Sequence, residues 1–281
     1  MTGAVLVALA TVGAFAQTTS VTRTVSWETG DLVVQLAREV PATGANRPAA
    51  VARVQAEIIE ESVSLIVEVL QDLPYDSYYD IGSYLEENEH QIGRVLDAAR
   101  RAEPIQSRSS NDLRIAEVTF RLDLHEDLIS QLVEHDEPAA IPRSLGWWPG
   151  GEYTGVLIYA AEPLEHIDTG RRVNLNPTLF PGIYFAEEGE EQLYRLIEAE
   201  NVTPESLSRW GVFGYTTDPF ATELLYRIGA NPLQIMATGV FGANATDPVI
   251  RRSDALQLLS SDHNRQLLQE GRVVVIIPPT E

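Results

Sequence analysis

The most regular apolar pattern of the chain lies in residues 49–70. Apolar side chains recur there every three or four positions, and arginine and glutamate fill the opposite face, which predicts a long amphipathic helix. Pro48 stands where a first helical turn accepts proline, and Pro74 follows the pattern. Weaker patterns predict two further helices, over residues 86–101 and 125–133.

Alternating apolar and polar positions predict strands before and after this helical part. Two alternating segments in residues 21–40 flank a polar turn at residues 28–31, which indicates a β-hairpin. Residues 113–124 alternate in the same way and predict a half-buried strand.

The second half of the chain carries shorter signals. Strands are predicted at residues 155–160 and near 183–185, and helices after Pro204 and over residues 219–227. The closing block is residues 228–277, and it contains a predicted strand (233–241), a turn (242–247), a return strand (Val249-Ile250), a helix entered at Ser253 and a final apolar run (272–277). Because that final run is continuously apolar between glycine and proline, it predicts a strand buried on both faces.

Residues 136–152 break the chain into two parts. They are rich in proline and glycine and show no periodicity, as is typical of a linker. We therefore predict two small α+β domains, residues 17–135 and 153–281, each with a mixed or antiparallel sheet and packed helices.

The first sixteen residues predict export. They form an apolar, small-residue-rich stretch that ends in Ala14-Phe15-Ala16, an A-x-A cleavage pattern, and they are too short for a transmembrane helix. No basic residue precedes the stretch, so two alternatives stay open: the true start lies upstream, or the stretch is an uncleaved apolar strand. A signal peptide at residues 1–16 would place the mature protein in the periplasm or outside the cell, without membrane insertion.

The composition narrows the classes of partner and chemistry. The net charge is -21, and every basic residue is arginine, which argues against binding nucleic acid or an anionic membrane surface. The absence of cysteine excludes disulfides, thiolate catalysis and cysteine-based metal sites, and we expect no lipid anchor of the cysteine-linked type.

No local motif points to an enzyme. Two clusters combine histidine with carboxylates, at residues 125–127 and 135–137, but neither has the helical spacing of a zinc site. The chain has no nucleophile elbow and no phosphate loop. We therefore predict no catalytic, cofactor-binding or metal-binding residues. An active site assembled from scattered residues would leave no such motif.

Aromatic residues supply the candidate contact site. Trp147 and Trp148 in the linker, together with Tyr153, form a candidate surface for a partner or ligand, because exposed loop aromatics tend to bind. The alternative, which we favour, is that they hold the two domains together. A second aromatic cluster, in residues 75–84, is more typical of a core edge than of a sugar site.

The closing block carries a family resemblance. The resemblance rests on the order of four features: a turn at residues 229–233, a return strand at Val249-Ile250, a helix start at Ser253-Asp254-Ala255 and a final strand at residues 272–277. In this order, and in the upstream helix (49–70) followed by a strand (118–124), the chain resembles the exported bacterial flagellar assembly lipoprotein P family and related small outer-membrane lipoproteins. It departs from them in lacking cysteine and in a longer insertion at residues 162–191.

The resemblance implies a non-enzymatic function. We expect an exported structural or assembly component of the bacterial cell envelope, with the flagellum as the implied association. The expected partners are envelope or flagellar motor proteins, or further copies of the chain, with no cofactor. The alternative is a periplasmic binding module for a glycan or a small ligand.

Overall fold

A computed structural model describes residues 19–42, 46–144, 151–186, 192–222 and 224–279. Within these ranges the chain has an α+β fold, as predicted, with one sheet in the first half and further sheets in the second half. The predicted signal peptide, residues 1–16, lies outside the described residues.

The first domain is an antiparallel sheet covered by helices. Its elements in chain order are β1 (Thr19–Ser26), β2 (Asp31–Glu39), α1 (Arg47–Gln71), α2 (Ile81–Glu87), α3 (Ile92–Arg100), β3 (Glu103–Ser109), β4 (Ile115–Asp123) and α4 (Ser130–Leu132). The strands lie in the order β1-β2-β4-β3. The predicted hairpin and the long helix are confirmed. Asn46 caps α1 by accepting a hydrogen bond from the Ala49 amide.

Three predictions for the first domain need correction. The helix predicted over residues 86–101 is two helices. Its first residues belong to α2, which starts after its cap Asp80 and ends before Asn88, and a short 3₁₀ turn separates α2 from α3. The helix predicted over residues 125–133 is a π-helical turn, Leu124–Ile129, followed by the short α4. Strand β3 was not predicted, because every residue of this edge strand is exposed and the apolar alternation is missing.

The second domain contains two four-stranded sheets and a small ribbon. Its strands are β5 (Val156–Tyr159), β6 (Leu164–Glu165), β7 (Arg172–Val173), β8 (Ile183–Ala186), β9 (Tyr194–Ile197), β10 (Gly214–Thr216), β11 (Leu233–Met236), β12 (Gly239–Phe241), β13 (Asp247–Arg251) and β14 (Val273–Ile276). Its helices are α5 (Pro204–Trp210), α6 (Leu224–Ile228), α7 (Arg252–Leu259) and α8 (Asp262–Gln269).

One sheet of this domain, β10-β14-β5-β11, is parallel throughout, and the other, β12-β13-β8-β9, is mixed. The prediction of a doubly buried final strand is confirmed, because β14 lies between two parallel neighbours and all four of its residues are buried. The parallel sheet itself was not predicted.

The closing block is more divided than its pattern predicts. The strand expected over residues 233–241 is two strands in different sheets, because the chain leaves the parallel sheet after Met236 and joins the mixed sheet at Gly239. The helix expected from Ser253 is also two, since Ser261 starts α8 by accepting a hydrogen bond from the Asn264 amide.

The described part of the predicted linker is docked on the second domain. Ile141 is buried, and its carbonyl accepts a hydrogen bond from the Arg265 guanidinium at 2.8 Å. The amides of Ala139 and Ser144 donate to carbonyls of the second domain at 2.7 and 3.1 Å. Residues 136–144 therefore run along the domain as part of its surface.

The two domains share one continuous apolar core. The segment after α1 provides most of the polar contacts: Ser77 donates a hydrogen bond to the Asp247 carboxylate, and the Phe180 amide donates to the Tyr75 carbonyl at 2.8 Å. On the other side, Thr216 donates to Glu28 at 2.7 Å, beside the edge-to-face pair of Trp27 and Tyr215. The domains are therefore fixed against each other at two places.

Gly242 allows the close approach of the domains at Ser77. Its φ is +91°, and a Cβ atom there would overlap the Cβ of Ser77. We expect Gly242→Ala to lower the free energy of unfolding by about 2 kcal/mol, from strain and overpacking together, in a urea titration followed by circular dichroism.

Gly170→Ala is the matched control for this substitution. Its φ of +65° is also left-handed, but its Cβ would meet open space, so only the backbone strain remains. Equal losses for the two variants would show that the contact with Ser77 contributes nothing.

Candidate functional site

A groove lies between the two domains, with a volume of about 520 Å³. We call it the interdomain groove. Its lining consists of Tyr75, Asp76, Tyr84, Leu132, Val133, Glu134, His135, Glu137, Ala139, Phe180, Glu198, Ala199 and Glu200. The first domain contributes the segment after α1 and residues 132–135, and the linker contributes Glu137 and Ala139. The second domain contributes Phe180 and the turn that follows β9.

Three aromatic rings form one wall of the groove. Tyr75 stacks on Tyr84 with ring centroids 3.8 Å apart, and Phe180 packs on Tyr75 at 4.8 Å. Burial raises the pKa of the Tyr75 phenol, and a hydrogen bond with Tyr84 acts in the same direction, so the Tyr75 phenol is neutral at physiological pH. The wall offers flat, rigid faces from both domains.

Carboxylates dominate the polar lining. Glu134 interacts with Gln91, His90 and Arg94 behind it, and Glu198 is paired with Arg195. The three remaining acidic side chains have no ion-pair partner among the described residues: Asp76, Glu137 and Glu200. Burial raises the pKa of Glu198, and the neighbouring Glu200 adds to this shift. The groove therefore has a negative potential.

The groove holds no arrangement of a nucleophile with a base. Its histidine, His135, is bound through Nε2 to the Val202 carbonyl at 2.8 Å, so that this nitrogen donates to the backbone. Among the residues that the structure describes, no group of three or more histidines and carboxylates is placed to hold a metal ion. The side chains are suited to binding a cation or an aromatic-stacking ligand.

A second feature, which we call the exposed aromatic segment, consists of Phe220, Leu225 and Tyr226. Phe220 is 89% exposed and Tyr226 is 85% exposed, and Leu225 between them is 57% exposed. Large apolar side chains that are exposed close together in the chain are typical of interaction surfaces.

The sequence-predicted contact residues fall in different places. Trp147 and Trp148 lie outside the described residues. Tyr153 belongs to the second domain's own packing: its hydroxyl donates to Gln257 at 3.1 Å, and its carbonyl accepts from His263 at 2.7 Å. Tyr153 lies just before β5, and these two hydrogen bonds connect it to α7 and α8.

The second aromatic cluster of the sequence has a larger role than expected. Tyr75 and Tyr84 line the groove, and Tyr78 contacts the Phe241 ring of the second domain edge-on at 6.3 Å. Sequence reasoning missed Phe180, Glu198 and Glu200, because only the docking of the domains brings these positions to the tyrosines. No local signal marks them.

A partly buried histidine, His125, lies at the contact between the first domain and Gly211 of the second domain. Burial lowers the pKa of His125 to about 4, and the nearby Arg227 lowers it further, so the imidazole is neutral at pH 7. Its ring packs against Gly30, where an added Cβ would collide with it at 2.5 Å, and against Gly211, where an added Cβ would lie 3.3 Å from it. His125 thus fills the contact between the domains.

Comparison with known proteins supports the division into two domains. Residues 18–131 match the family model of the N-terminal domain of Treponema pallidum Tp0624, and residues 155–279 match that of its second domain. The two matches lie on either side of residues 136–152. No curated protein matches the chain. In the described residues, no helix combines the length and the apolar character needed to cross a membrane. The chain thus carries, one after the other, two α+β domains similar to the N-terminal and second domains of Treponema pallidum Tp0624.

Proposed function

We propose that this protein is a non-enzymatic, exported component of the bacterial cell envelope that works by binding partner proteins. The observation that carries the proposal is the exposed aromatic segment, in which Phe220 and Tyr226 are almost fully open to solvent. Aromatic side chains supply a large share of the energy of protein interfaces, and their exposure in the free protein costs hydration free energy that a partner recovers.

Rigid docking of the domains is the second support. A shared core and polar contacts at two places present the surfaces of both domains in one fixed geometry, as an assembly component requires. Export rests on the apolar N-terminal stretch, and the flagellar association rests on the resemblance of the closing block. Periplasmic or secreted location and envelope or flagellar motor partners are therefore parts of the proposal.

Site-specific photo-crosslinking in the native bacterium tests this function. A photoreactive phenylalanine analogue at Phe220 is expected to give discrete crosslinked bands that contain envelope proteins identified by mass spectrometry. With Tyr226→Ser in the same chain we expect the bands to weaken about tenfold, because a central aromatic contact is worth about 1–2 kcal/mol or more.

The control places the same analogue at Ile59, an exposed apolar position on α1 in the first domain. We expect no discrete bands from this position. Cell fractionation adds a second readout, and a protein found in the cytoplasm without envelope crosslinks would refute the proposed function.

A binding module for an envelope glycan is the second candidate. The stacked Tyr75 and Tyr84 beside Phe180 favour it, because sugar rings pack on flat aromatic faces. Titration calorimetry with muropeptides separates the two candidates. Heat of binding that Tyr84→Leu abolishes would support the glycan module.

A further inference from the structure

We propose that the interdomain groove binds an arginine- or lysine-bearing segment of a partner protein. This inference rests on the proposed function, because it assigns the chemistry of one partner contact. It concerns a surface separate from the exposed aromatic segment, so each can be tested without the other.

The unpaired carboxylates determine the charge of the occupant. Asp76 accepts hydrogen bonds from the amides of Tyr78 and Tyr79 and lies on the first domain's side. Glu137 follows α4, and Glu200 faces the groove from the second domain. None of the three has a basic partner among the described residues. A cationic guest would relieve the repulsion between these carboxylates.

The aromatic wall favours the guanidinium and ammonium groups of proteins. A cation that lies on a tyrosine face gains from the ring quadrupole, and the methylene stem of arginine or lysine covers apolar surface at the same time. Tyr84, stacked on Tyr75, lines the same groove as the carboxylates. The groove therefore combines an apolar contact with charge in the way that these long side chains need.

The shape of the groove favours a segment over a single small cation. Its volume of about 520 Å³ accommodates several side chains, and its carboxylates come from both domains rather than converging on one point. A chain that carries two or more basic side chains can meet both sides at once. This arrangement also provides the specificity that a diffuse negative charge lacks.

Calorimetric titration of the purified full chain at about 150 mM salt tests this inference, since screening there suppresses long-range attraction to the acidic protein. The probe is the acetylated, amidated peptide Arg-Ala-Arg-Ala-Arg, compared with the same peptide in which neutral citrulline replaces each arginine. We expect binding of the arginine peptide only. Spermidine provides the small-cation arm, and we expect it to bind more weakly.

Two variants of equal net charge decide whether binding occurs in the groove. Glu137→Gln with Glu200→Gln removes two unpaired groove carboxylates, and we expect affinity for the arginine peptide to fall about tenfold. Glu60→Gln with Glu68→Gln removes two exposed carboxylates from the outer face of α1, and we expect a change below about twofold. Tyr84→Leu is expected to weaken binding while the circular dichroism spectrum stays unchanged.

Three results would overturn the inference. Equal losses in the two charge-matched variants would show attraction to the overall charge. Equal binding of spermidine and the arginine peptide would assign the groove to small cations. No binding of the arginine peptide would leave the groove without this function, whereas crosslinks from Phe220 would still support the proposed envelope role.

Discussion

Replacing Arg227 by methionine is expected to lower the free energy of unfolding by about 4 kcal/mol. The guanidinium is buried and donates to three carbonyls: Nε to Gly271 at 2.8 Å, Nη1 to Trp210 at 2.7 Å and Nη2 to Gly211 at 3.1 Å. Methionine fills much of the space but leaves these acceptors without donors.

The position of the three carbonyls explains why arginine is needed. The Trp210 carbonyl belongs to the last residue of α5, the Gly211 carbonyl comes directly after it, and the Gly271 carbonyl follows the end of α8. Helices leave carbonyls unpaired and carry partial negative charge at these ends. One planar guanidinium with several donors satisfies both helix ends at once. Burial lowers the pKa of Arg227 to about 9, which still leaves the side chain charged at neutral pH.

Arg209→Met is the control for this substitution. Both arginines lie over the Trp210 indole: the Cζ of Arg227 is 5.3 Å from the ring centroid and that of Arg209 is 4.4 Å from it. Arg209, on α5, differs from Arg227 because its side chain is exposed. We expect a loss below about 1 kcal/mol, the range of an exposed cation–π contact. Urea denaturation followed by tryptophan fluorescence measures both variants, and similar values for the two would show that the buried hydrogen bonds contribute little.

The gain in the free energy of unfolding from Asp247→Asn is expected to be about 2 kcal/mol larger at pH 7 than at pH 4. The Asp247 carboxylate is 2% exposed and accepts hydrogen bonds from Ser77, from the Gly182 amide at 3.0 Å and from Thr246 at 3.1 Å. Burial nevertheless raises its pKa from 3.8 to about 6. Asparagine can keep the same geometry, since its amide group can donate to the Ser77 oxygen.

The direction of the pH effect follows from the raised pKa. Between pH 3.8 and about 6 the folded protein binds this proton more tightly than the unfolded chain does. The contribution of Asp247 to stability is therefore complete below pH 3.8 and is lost as the pH rises through about 6. Tyr78, Tyr184 and Tyr215 also face this carboxylate, and their raised pKa values keep them neutral throughout the range.

The difference in unfolding free energy between Asp247→Asn and the original chain isolates this group from the other titrating residues. We expect the difference to rise between pH 4 and pH 7. A flat difference over this range would contradict the assignment of a buried, proton-binding carboxylate between the domains.

Sequence patterns predicted those elements whose burial is one-sided or complete. The long helix α1 and the strands β2 and β4 have a regular contrast between buried and exposed positions, so their periodicity was sufficient. Strand β14 is buried at every position, and its continuous apolar run was sufficient. The edge strand β3 has no such contrast and was missed. The joined pattern at residues 233–241 concealed a change of sheet, because each strand is only three or four residues long.

The candidate site was predictable only in part. The tyrosines of residues 75–84 were visible as a cluster, but their partners Phe180, Glu198 and Glu200 lie about a hundred residues away and belong to another domain. The exposure of Phe220 and Tyr226 was also invisible, because an apolar residue in a short segment is normally expected in the core.

By itself, the sequence determined the α+β class, the acidic and cysteine-free chemistry, and the positions of the strongly periodic elements. These three properties depend only on the local spacing of residues and on composition, which are present in the chain before it folds. Three further features emerge only in the folded protein: the domains share one core, Arg227 joins two helix ends, and carboxylates and tyrosines of both domains form a groove. Each of these depends on contacts between distant residues, which local patterns do not encode.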